Sequence, residues 1–192
     1  EDNDNLPPKY SKYLTNYYKK CVFNENWYPD EQITNLISLL IKTKNLSGRI
    51  IEIGCWEGKS TSYLARNCFP EILICNDTWQ GNIEESKVSG VTHITELILK
   101  ERDVYNIFIE NMNNITNGKY EIVKEDYLVW LSTYKEPIKF IHIDASHEYE
   151  SVFKTIKLIL PNLIKGGIIC GDDFLNAPAS SKSFYGSFNT SI

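Results

Sequence analysis

The feature that most constrains the fold of this 192-residue chain is an apolar run that breaks at glycine and continues into hydroxyl-rich sequence. Segment 49–62 reads RIIEIGCWEGKSTS, with Gly54 and Gly58 between the isoleucines and the hydroxyls. A short apolar strand, a glycine turn and a helix start form the first half of a βαβ unit. Glycine lets backbone N–H groups approach a ligand, and a helix N-terminus favours an anionic group. The segment therefore predicts a ligand-binding turn, with a purely structural βα turn as the alternative.

Glu52 narrows the choice of ligand at this turn. It lies on the predicted strand, two residues before Gly54. A buried carboxylate there would repel a pyrophosphate and favour an ammonium group, which suits a nucleoside that carries an amino acid. The two glycines are spaced Gly-x-x-x-Gly, not Gly-x-Gly-x-x-Gly, and this disfavours a nicotinamide-dependent oxidoreductase.

Strands alternate with helices along the chain, which predicts an α/β fold: a doubly wound, Rossmann-like parallel sheet with helices on both faces. The strands are predicted at 49–53, 72–76, 120–123, 139–143 and 168–170. The helices are predicted from Asp30, as N-cap, to Ile41, at 60–67, 93–112 and 126–131, and from Tyr149 onward. Residues 78–92 are polar and are predicted to form a loop.

The chain divides into an N-terminal helical extension (1–29), one domain (30–174) and a short tail (175–192). Tyrosines recur at three- and four-residue steps over 9–20, which predicts a helix with an aromatic stripe. The stripe packs on the body of the domain or on another subunit, as in a homo-oligomer, or else serves as a lid over a substrate pocket.

Composition argues against several classes of partner. The net charge is −5 and the pI is about 5.3, so bulk electrostatics indicate neither a nucleic acid nor an anionic membrane as partner. No apolar run approaches the roughly 20 residues that span a bilayer. The five cysteines are odd in number, and this favours buried thiols in a reducing, cytoplasmic setting over a disulfide framework.

Every predicted strand contains an acidic residue or is closely followed by one. These residues are Glu52, Asp77, Asp126, Asp144, Asp172 and Asp173. Because the carboxyl ends of parallel strands meet at one edge of a sheet, we expect the acids to converge on one cleft. Asp77 is placed to bind the hydroxyls of a ribose. Trp79 offers a face for an adenine or, equally, packs in the core.

Four segments carry a resemblance to a known family. They are IEIGCWEGKST at 51–61, NDTWQG at 76–81, FIHIDASHEYE at 140–150 and LIKGGIICGDDF at 163–174. Together they resemble class I S-adenosylmethionine-dependent methyltransferases, and most of all the subgroup that includes macrolide-sugar O-methyltransferases. The resemblance covers about 30–174. It departs at the C-terminus, because residues 175–192 are too few for the helix and antiparallel strand pair that usually end this fold.

The resemblance implies a role for each candidate cofactor residue. The methionine part of S-adenosylmethionine would be held by residues of the first strand, the turn and the helix start: Glu52, Gly54, Cys55, Trp56, Gly58, Ser60 and Thr61. Asp77 would bind the ribose, and Asp126 would lie near the adenine with Trp79.

The resemblance also implies a magnesium site and a base. Asp144, Asp172 and Asp173 would hold Mg²⁺, and His147 would lie beside it. Magnesium prefers oxygen ligands, and a diol bound to it becomes more acidic. His147 or Asp144 would remove the hydroxyl proton. A zinc site at His142, Asp144 and His147 is a minor alternative, since His142 is expected to be a core histidine.

The function implied is transfer of a methyl group from S-adenosylmethionine to a hydroxyl of a small molecule, a sugar or glycoside above all. The alternative is a catalytically inactive, cofactor-binding assembly domain of the same fold. The short C-terminus and the tyrosine-rich segment 9–20 motivate that alternative.

Overall fold

Five parallel strands form the sheet in the order β3-β2-β1-β4-β5 in the computed structural model, which describes residues 21–25, 27–115 and 119–172. The strands are β1 Arg49–Ile53, β2 Leu73–Asn76, β3 Tyr120–Val123, β4 Ile138–Ile143 and β5 Leu163–Gly171. β1 lies at the centre of the sheet. The chain adds β2 and β3 on one side of β1 and then adds β4 and β5 on the other side. This confirms the predicted doubly wound parallel sheet. Every strand pair within the described ranges is parallel, and the tail 175–192 lies outside them.

The helices are α1 Asp30–Lys42, α2 Lys59–Asn67, α3 Ile83–Ser89, α4 Ile94–Glu101, α5 Val104–Ile115, α6 Tyr127–Thr133 and α7 Tyr149–Ile159, followed by a short 3-10 turn, Leu160–Asn162. Two hydrophobic cores lie on opposite faces of the sheet, because successive strand residues point to opposite sides. Ile50 packs in the core that contains residues of α1, α2 and α5. Ile51 packs in the core that contains residues of α6 and α7.

Four predicted strands match to within one residue, but β5 begins at Leu163, five residues earlier than predicted, and several helix boundaries differ. The predicted loop 78–92 contains α3, a helix that buries none of its residues and so leaves no apolar periodicity to detect. The predicted helix 93–112 is two helices, α4 and α5, because Arg102 is extended at φ −151°. Asp30 is not an N-cap, since Pro29 takes that position without a side-chain hydrogen bond. The helix predicted over 9–20 lies outside the described residues.

Two predictions from composition can be compared with the fold. All five cysteines are free, and four of them are buried: Cys55, Cys68, Cys75 and Cys170. Among the helices of the described residues, none is both long enough and apolar enough to traverse a bilayer.

Candidate active site

One cleft of about 1060 Å³ runs along the carboxyl edge of the sheet. Residues that follow all five strands line it, namely Gly54, Asp77, Asp126, Asp144 and Asp172. The predicted convergence of the acidic residues is therefore confirmed for Asp77, Asp126, Asp144 and Asp172. Asp173 lies outside the described residues. Glu52 is fully buried below the cleft and does not line it.

The glycine turn has a structural requirement of its own. Gly54 has φ +84°, and a Cβ there would lie 1.7 Å from the backbone oxygen of Asp144. Gly58 has φ +86°, and its missing Cβ leaves room for the ring of Phe108. Only glycine combines this left-handed backbone with such close neighbours. The turn therefore lets the ends of β1 and β4 approach each other, whatever ligand it meets.

Asp77 binds the turn itself. Its Oδ2 accepts hydrogen bonds from the backbone N of Cys55 at 2.8 Å and of Trp56 at 2.9 Å, and its Oδ1 accepts from the backbone N of Trp79 at 2.7 Å. Burial raises the pKa of the Asp77 carboxyl against the opposing effect of these three donors. The expectation that the N–H groups of the turn face a ligand is wrong for Cys55 and Trp56, because Asp77 already occupies them.

The start of α2 lies directly behind the turn. The N-cap of α2 is Gly58, in the left-handed conformation, and no side chain caps the helix. The dipole of a helix favours an anion at its N-terminus, and α2 begins with Lys59 and Ser60. Both residues line the cleft. Thr61 is buried and does not line it.

Glu52 pairs with a core histidine rather than facing the cleft. Its Oε1 lies 3.1 Å from Nδ1 of His142, and Nε2 of His142 lies 3.2 Å from the hydroxyl of Tyr28. Burial lowers the pKa of His142, but the Glu52 carboxylate, together with Asp144 and Asp172, outweighs burial and raises the pKa above its ordinary value. His142 is therefore the core histidine that the sequence suggested, and these contacts argue against its being a zinc ligand.

Trp79 packs in the core. It is only 6% exposed, and its ring lies 4.8 Å from that of Tyr105 and 4.9 Å from that of Phe108. Its Nε1 donates to the backbone oxygen of Trp56 at 2.9 Å. Of the two roles left open for Trp79, this location favours packing over contact with an adenine. Asp126 lines the cleft and caps α6, its Oδ1 accepting from the backbone N of Leu128 and Val129.

The polar end of the cleft holds the predicted catalytic pair. Nε2 of His147 lies 3.9 Å from Oδ1 of Asp144. Asp172, at the end of the neighbouring strand, accepts a hydrogen bond from Nε2 of Gln32 at 3.2 Å. Within the parts of the chain that the structure describes, no group of three or more His, Cys, Asp or Glu side chains is arranged to hold a metal ion. The two described carboxylates, Asp144 and Asp172, suit the oxygen preference of Mg²⁺, which often uses only one or two carboxylates.

Sequence reasoning missed Glu85, on α3. Its Oε1 lies 2.9 Å from the backbone N of His147 and 2.9 Å from the ring Nδ1 of the same residue. No signal in the sequence could have found it, because the contact joins two residues 62 positions apart through a helix with no apolar face.

The extended segment before α1 was also missed as part of the site. Phe23, Trp27 and Tyr28 line the cleft. Trp27 is 47% exposed, and its ring centroid lies 5.5 Å from that of Trp56 on the glycine turn. The segment is tied down through Glu57, which accepts from the backbone N of Asn24 and from Nε of Arg102. The turn and the residues before α1, including Trp27 and Tyr28, therefore form one polar and aromatic wall.

A protein family whose description is "Methyltransferase domain" matches residues 51–174 of this chain, which is more than half of its length. The chain belongs to this methyltransferase family. The matched residues run from β1 to just beyond β5 and so include the whole sheet edge described above. The membership confirms the resemblance inferred from the four sequence segments.

Solved structures similar to this methyltransferase share its fold. The calicheamicin methyltransferase CalS11 is 17% identical, with a TM-score of 0.55 and coverage of 94% of this chain and 93% of CalS11. Cofactor-bound Rv0187 from MTB is 17% identical, with a TM-score of 0.55 and coverage of 88% and 73%. The O-methyltransferase NovP is 18% identical, with a TM-score of 0.55 and coverage of 77% and 65%. No curated protein sequence matches the chain.

Proposed function

We propose that this methyltransferase transfers a methyl group from S-adenosylmethionine to a hydroxyl of a small molecule, with a sugar or glycoside as the acceptor. The observation that carries the proposal is that His147 and Asp144 line the same cleft as the glycine turn and the start of α2. A cofactor bound along the turn would therefore lie beside a basic group, which is the arrangement that methyl transfer to a hydroxyl requires.

The cofactor is proposed to lie along the β1–α2 turn. Its methionine carboxylate would meet the N-terminus of α2 at Lys59 and Ser60, where the helix dipole favours an anion. Asp77 has one acceptor position left beyond its three hydrogen bonds, since a carboxylate accepts about four, and a ribose hydroxyl would take it. Asp126 would lie near the adenine. Glu52, which is fully buried beneath the turn, would favour the ammonium group of the methionine part.

The acceptor is proposed to lie between the aromatic wall and the polar end of the cleft. The rings of Trp27 and Trp56 give an apolar surface for the carbon face of a sugar ring, while Asp144 and Asp172 accept hydrogen bonds from its hydroxyls. A second structure of CalS11 is described as a TDP-rhamnose 3'-O-methyltransferase, so at least one protein of this fold uses a sugar hydroxyl. That protein is 17% identical to this chain, with a TM-score of 0.50.

The chemistry is a displacement in which the chain supplies alignment and a base. The acceptor oxygen forms a bond to the methyl carbon as the bond from that carbon to sulfur breaks, and S-adenosylhomocysteine leaves. The hydroxyl proton passes to Nε2 of His147, which Asp144 stabilises once the ring is charged. Holding the oxygen and the methyl carbon in line supplies much of the rate.

Magnesium assistance is part of the proposal. Asp144 and Asp172 would hold the ion with Asp173, and the ion would orient a diol and make its hydroxyl more acidic. Removal of divalent ions with a chelator, followed by addition of Mg²⁺, tests this part separately. Full activity in the presence of the chelator would exclude it.

A calorimetric titration with S-adenosylmethionine and labelled methyl transfer to a panel of sugars and diols test the proposal together. We expect micromolar binding and turnover on at least one acceptor. Binding without turnover on any acceptor would favour the alternative, an inactive cofactor-binding assembly domain, and light scattering would then measure its oligomeric state. The absence of binding would contradict the cofactor assignment.

A further inference from the structure

We infer that Glu85 is a positioning residue that holds the ring of His147 with Nε2 directed at the acceptor hydroxyl. The inference rests on the proposed function, because it assigns a partner to the proposed base. Oε1 of Glu85 lies 2.9 Å from the backbone N of His147 and 2.9 Å from its ring Nδ1. One carboxylate oxygen therefore binds both the backbone and the side chain of the same residue.

This double contact fixes the tautomer as well as the ring orientation. An ionised carboxylate only accepts hydrogen bonds, so Nδ1 of His147 must carry the proton that lies between them. In the neutral ring Nε2 is then the acceptor, and Nε2 is the nitrogen on the side of Asp144, 3.9 Å from its Oδ1. A histidine acts as a base only through its unprotonated nitrogen, so Glu85 selects the form that can take a proton from the cleft.

Glu85 is itself held in place by polar neighbours. Nδ2 of Asn82 donates to Oε1 of Glu85 at 3.2 Å, and Nε2 of His93 lies 3.4 Å from Oε2. Nδ2 of Asn82 also lies 3.5 Å from the backbone oxygen of Ala145, on the loop that carries His147. The start of α3 thus binds the β4–α7 loop at two points, through Asn82 and Glu85.

Helix α3 gains little from hydrophobic burial, since none of its residues is buried. Its contacts with the loop are side-chain hydrogen bonds, and the most buried carboxylate among them is directed at the base. A helix held in this way at the rim of a cleft is better explained by what it positions than by packing. The side chain of Glu85 is 14% exposed, so its hydrogen bonds to His147 compete with little water.

Glu85→Ala is the variant that tests the inference by activity. We expect kcat to fall about 10- to 100-fold, since a general base contributes about 10²–10⁴-fold and a misdirected base loses part of that. The KM for S-adenosylmethionine should change less than about twofold, because the turn and α2 are untouched. Glu85→Gln should restore most of the lost kcat, because its amide oxygen can accept both hydrogen bonds. Glu150→Ala removes an exposed carboxylate three residues beyond His147 and is the matched control.

Nitrogen-15 NMR of the imidazoles tests the same inference without any acceptor. The chain has three histidines, so a His147→Asn variant assigns the signals of His147. At about pH 8, where an ordinary histidine is neutral, His147 should carry its proton on Nδ1, and in Glu85→Ala this tautomer should be lost. An unchanged tautomer, or a kcat within about twofold of the wild type, would overturn the inference. If the wild type transfers no methyl group, the proposed function fails, and the NMR result alone then supports or overturns the positioning role.

Discussion

The two walls of the cleft are built by different forces. The wall formed by β1, the glycine turn and α2 is buried, with every residue from Ser60 to Ala65 inside. The wall formed by α3 and the β4–α7 loop contains a helix with no buried residue, and its contacts are side-chain hydrogen bonds around Glu85. Hydrophobic burial leaves a periodic pattern in the sequence, whereas polar docking leaves none. The difference predicts where the protein tolerates change and where it does not.

The largest loss of stability is expected from a substitution at a glycine with positive φ. Two such glycines are compared, Gly54 in the first wall and Gly90 in the second. In Gly54→Ala the new Cβ would lie 1.7 Å from the backbone oxygen of Asp144, at φ +84°. We expect the free energy of unfolding to fall by about 3–5 kcal/mol, since the strained backbone and the clash both contribute. Urea denaturation measures the change.

Gly90→Ala is the matched control for that variant. Gly90 ends α3 at φ +70°, and a Cβ there meets nothing within 4 Å. Only the strain of the left-handed backbone then lowers the free energy of unfolding, by about 1–2 kcal/mol. Equal losses in the two variants would mean that the close approach of β1 and β4 is not what requires glycine at position 54.

A smaller loss of stability is expected at Asp77, whose carboxylate binds the backbone of the glycine turn. In Asp77 both carboxylate oxygens accept hydrogen bonds from backbone N–H groups. Asn has only one acceptor oxygen, so in Asp77→Asn at least one of these N–H groups loses its partner. We expect a loss of about 1–3 kcal/mol in the free energy of unfolding, the cost of an unsatisfied buried donor. Affinity for S-adenosylmethionine, measured by calorimetry, should fall with it.

Asp126→Asn is the comparison for this variant. Both donors to Asp126, the backbone N of Leu128 and of Val129, reach the same oxygen, Oδ1. Asparagine keeps such an oxygen and is about as good an N-cap as aspartate, so the change should be a few tenths of a kcal/mol. A larger loss of unfolding free energy for Asp126→Asn than for Asp77→Asn would contradict the role of Asp77 in stabilising the turn.

The sheet and the wall formed by β1, the glycine turn and α2 could be predicted from the sequence, because isoleucine runs that break at glycine mark buried strands. The same holds for α1, where the buried apolar residues recur at three- and four-residue steps: Ile33, Leu36, Ile37 and Leu40. The convergence of acids at the strand ends followed from sheet topology. The roles of individual acids did not follow. Asp77 binds the turn in addition to its proposed place at the ribose, and Glu52 contacts His142 below the cleft. Which neighbour a side chain meets depends on pairs of residues distant in sequence, and no local pattern encodes it.

The Glu52–His142 pair predicts how the stability of the buried wall depends on pH. The pKa of His142 in the fold lies above its ordinary value, because the carboxylates of Glu52, Asp144 and Asp172 together outweigh burial, with Glu52 the largest of the three. Protonated His142 therefore stabilises the fold fully below its unfolded pKa of about 6.5, and this contribution is lost as pH rises through the folded pKa. Glu52→Gln removes the carboxylate and should lose less stability over the same range. Urea denaturation at a series of pH values checks this, and equal pH dependence in both proteins would count against the pair.

The smallest change in stability is expected in the wall formed by α3 and the β4–α7 loop. Val88 on α3 is 68% exposed, and Val88→Ala removes side-chain atoms that already face solvent. Alanine also has the higher helix propensity, so the free energy of unfolding should change by less than about 0.5 kcal/mol in either direction. Ile37→Ala in α1, where the side chain is fully buried, should lose about 2–5 kcal/mol. A loss above about 1 kcal/mol for Val88→Ala would mean that α3 is held by apolar contacts after all. The interpretation of α3 as a helix docked by Asn82 and Glu85 would then have to be abandoned.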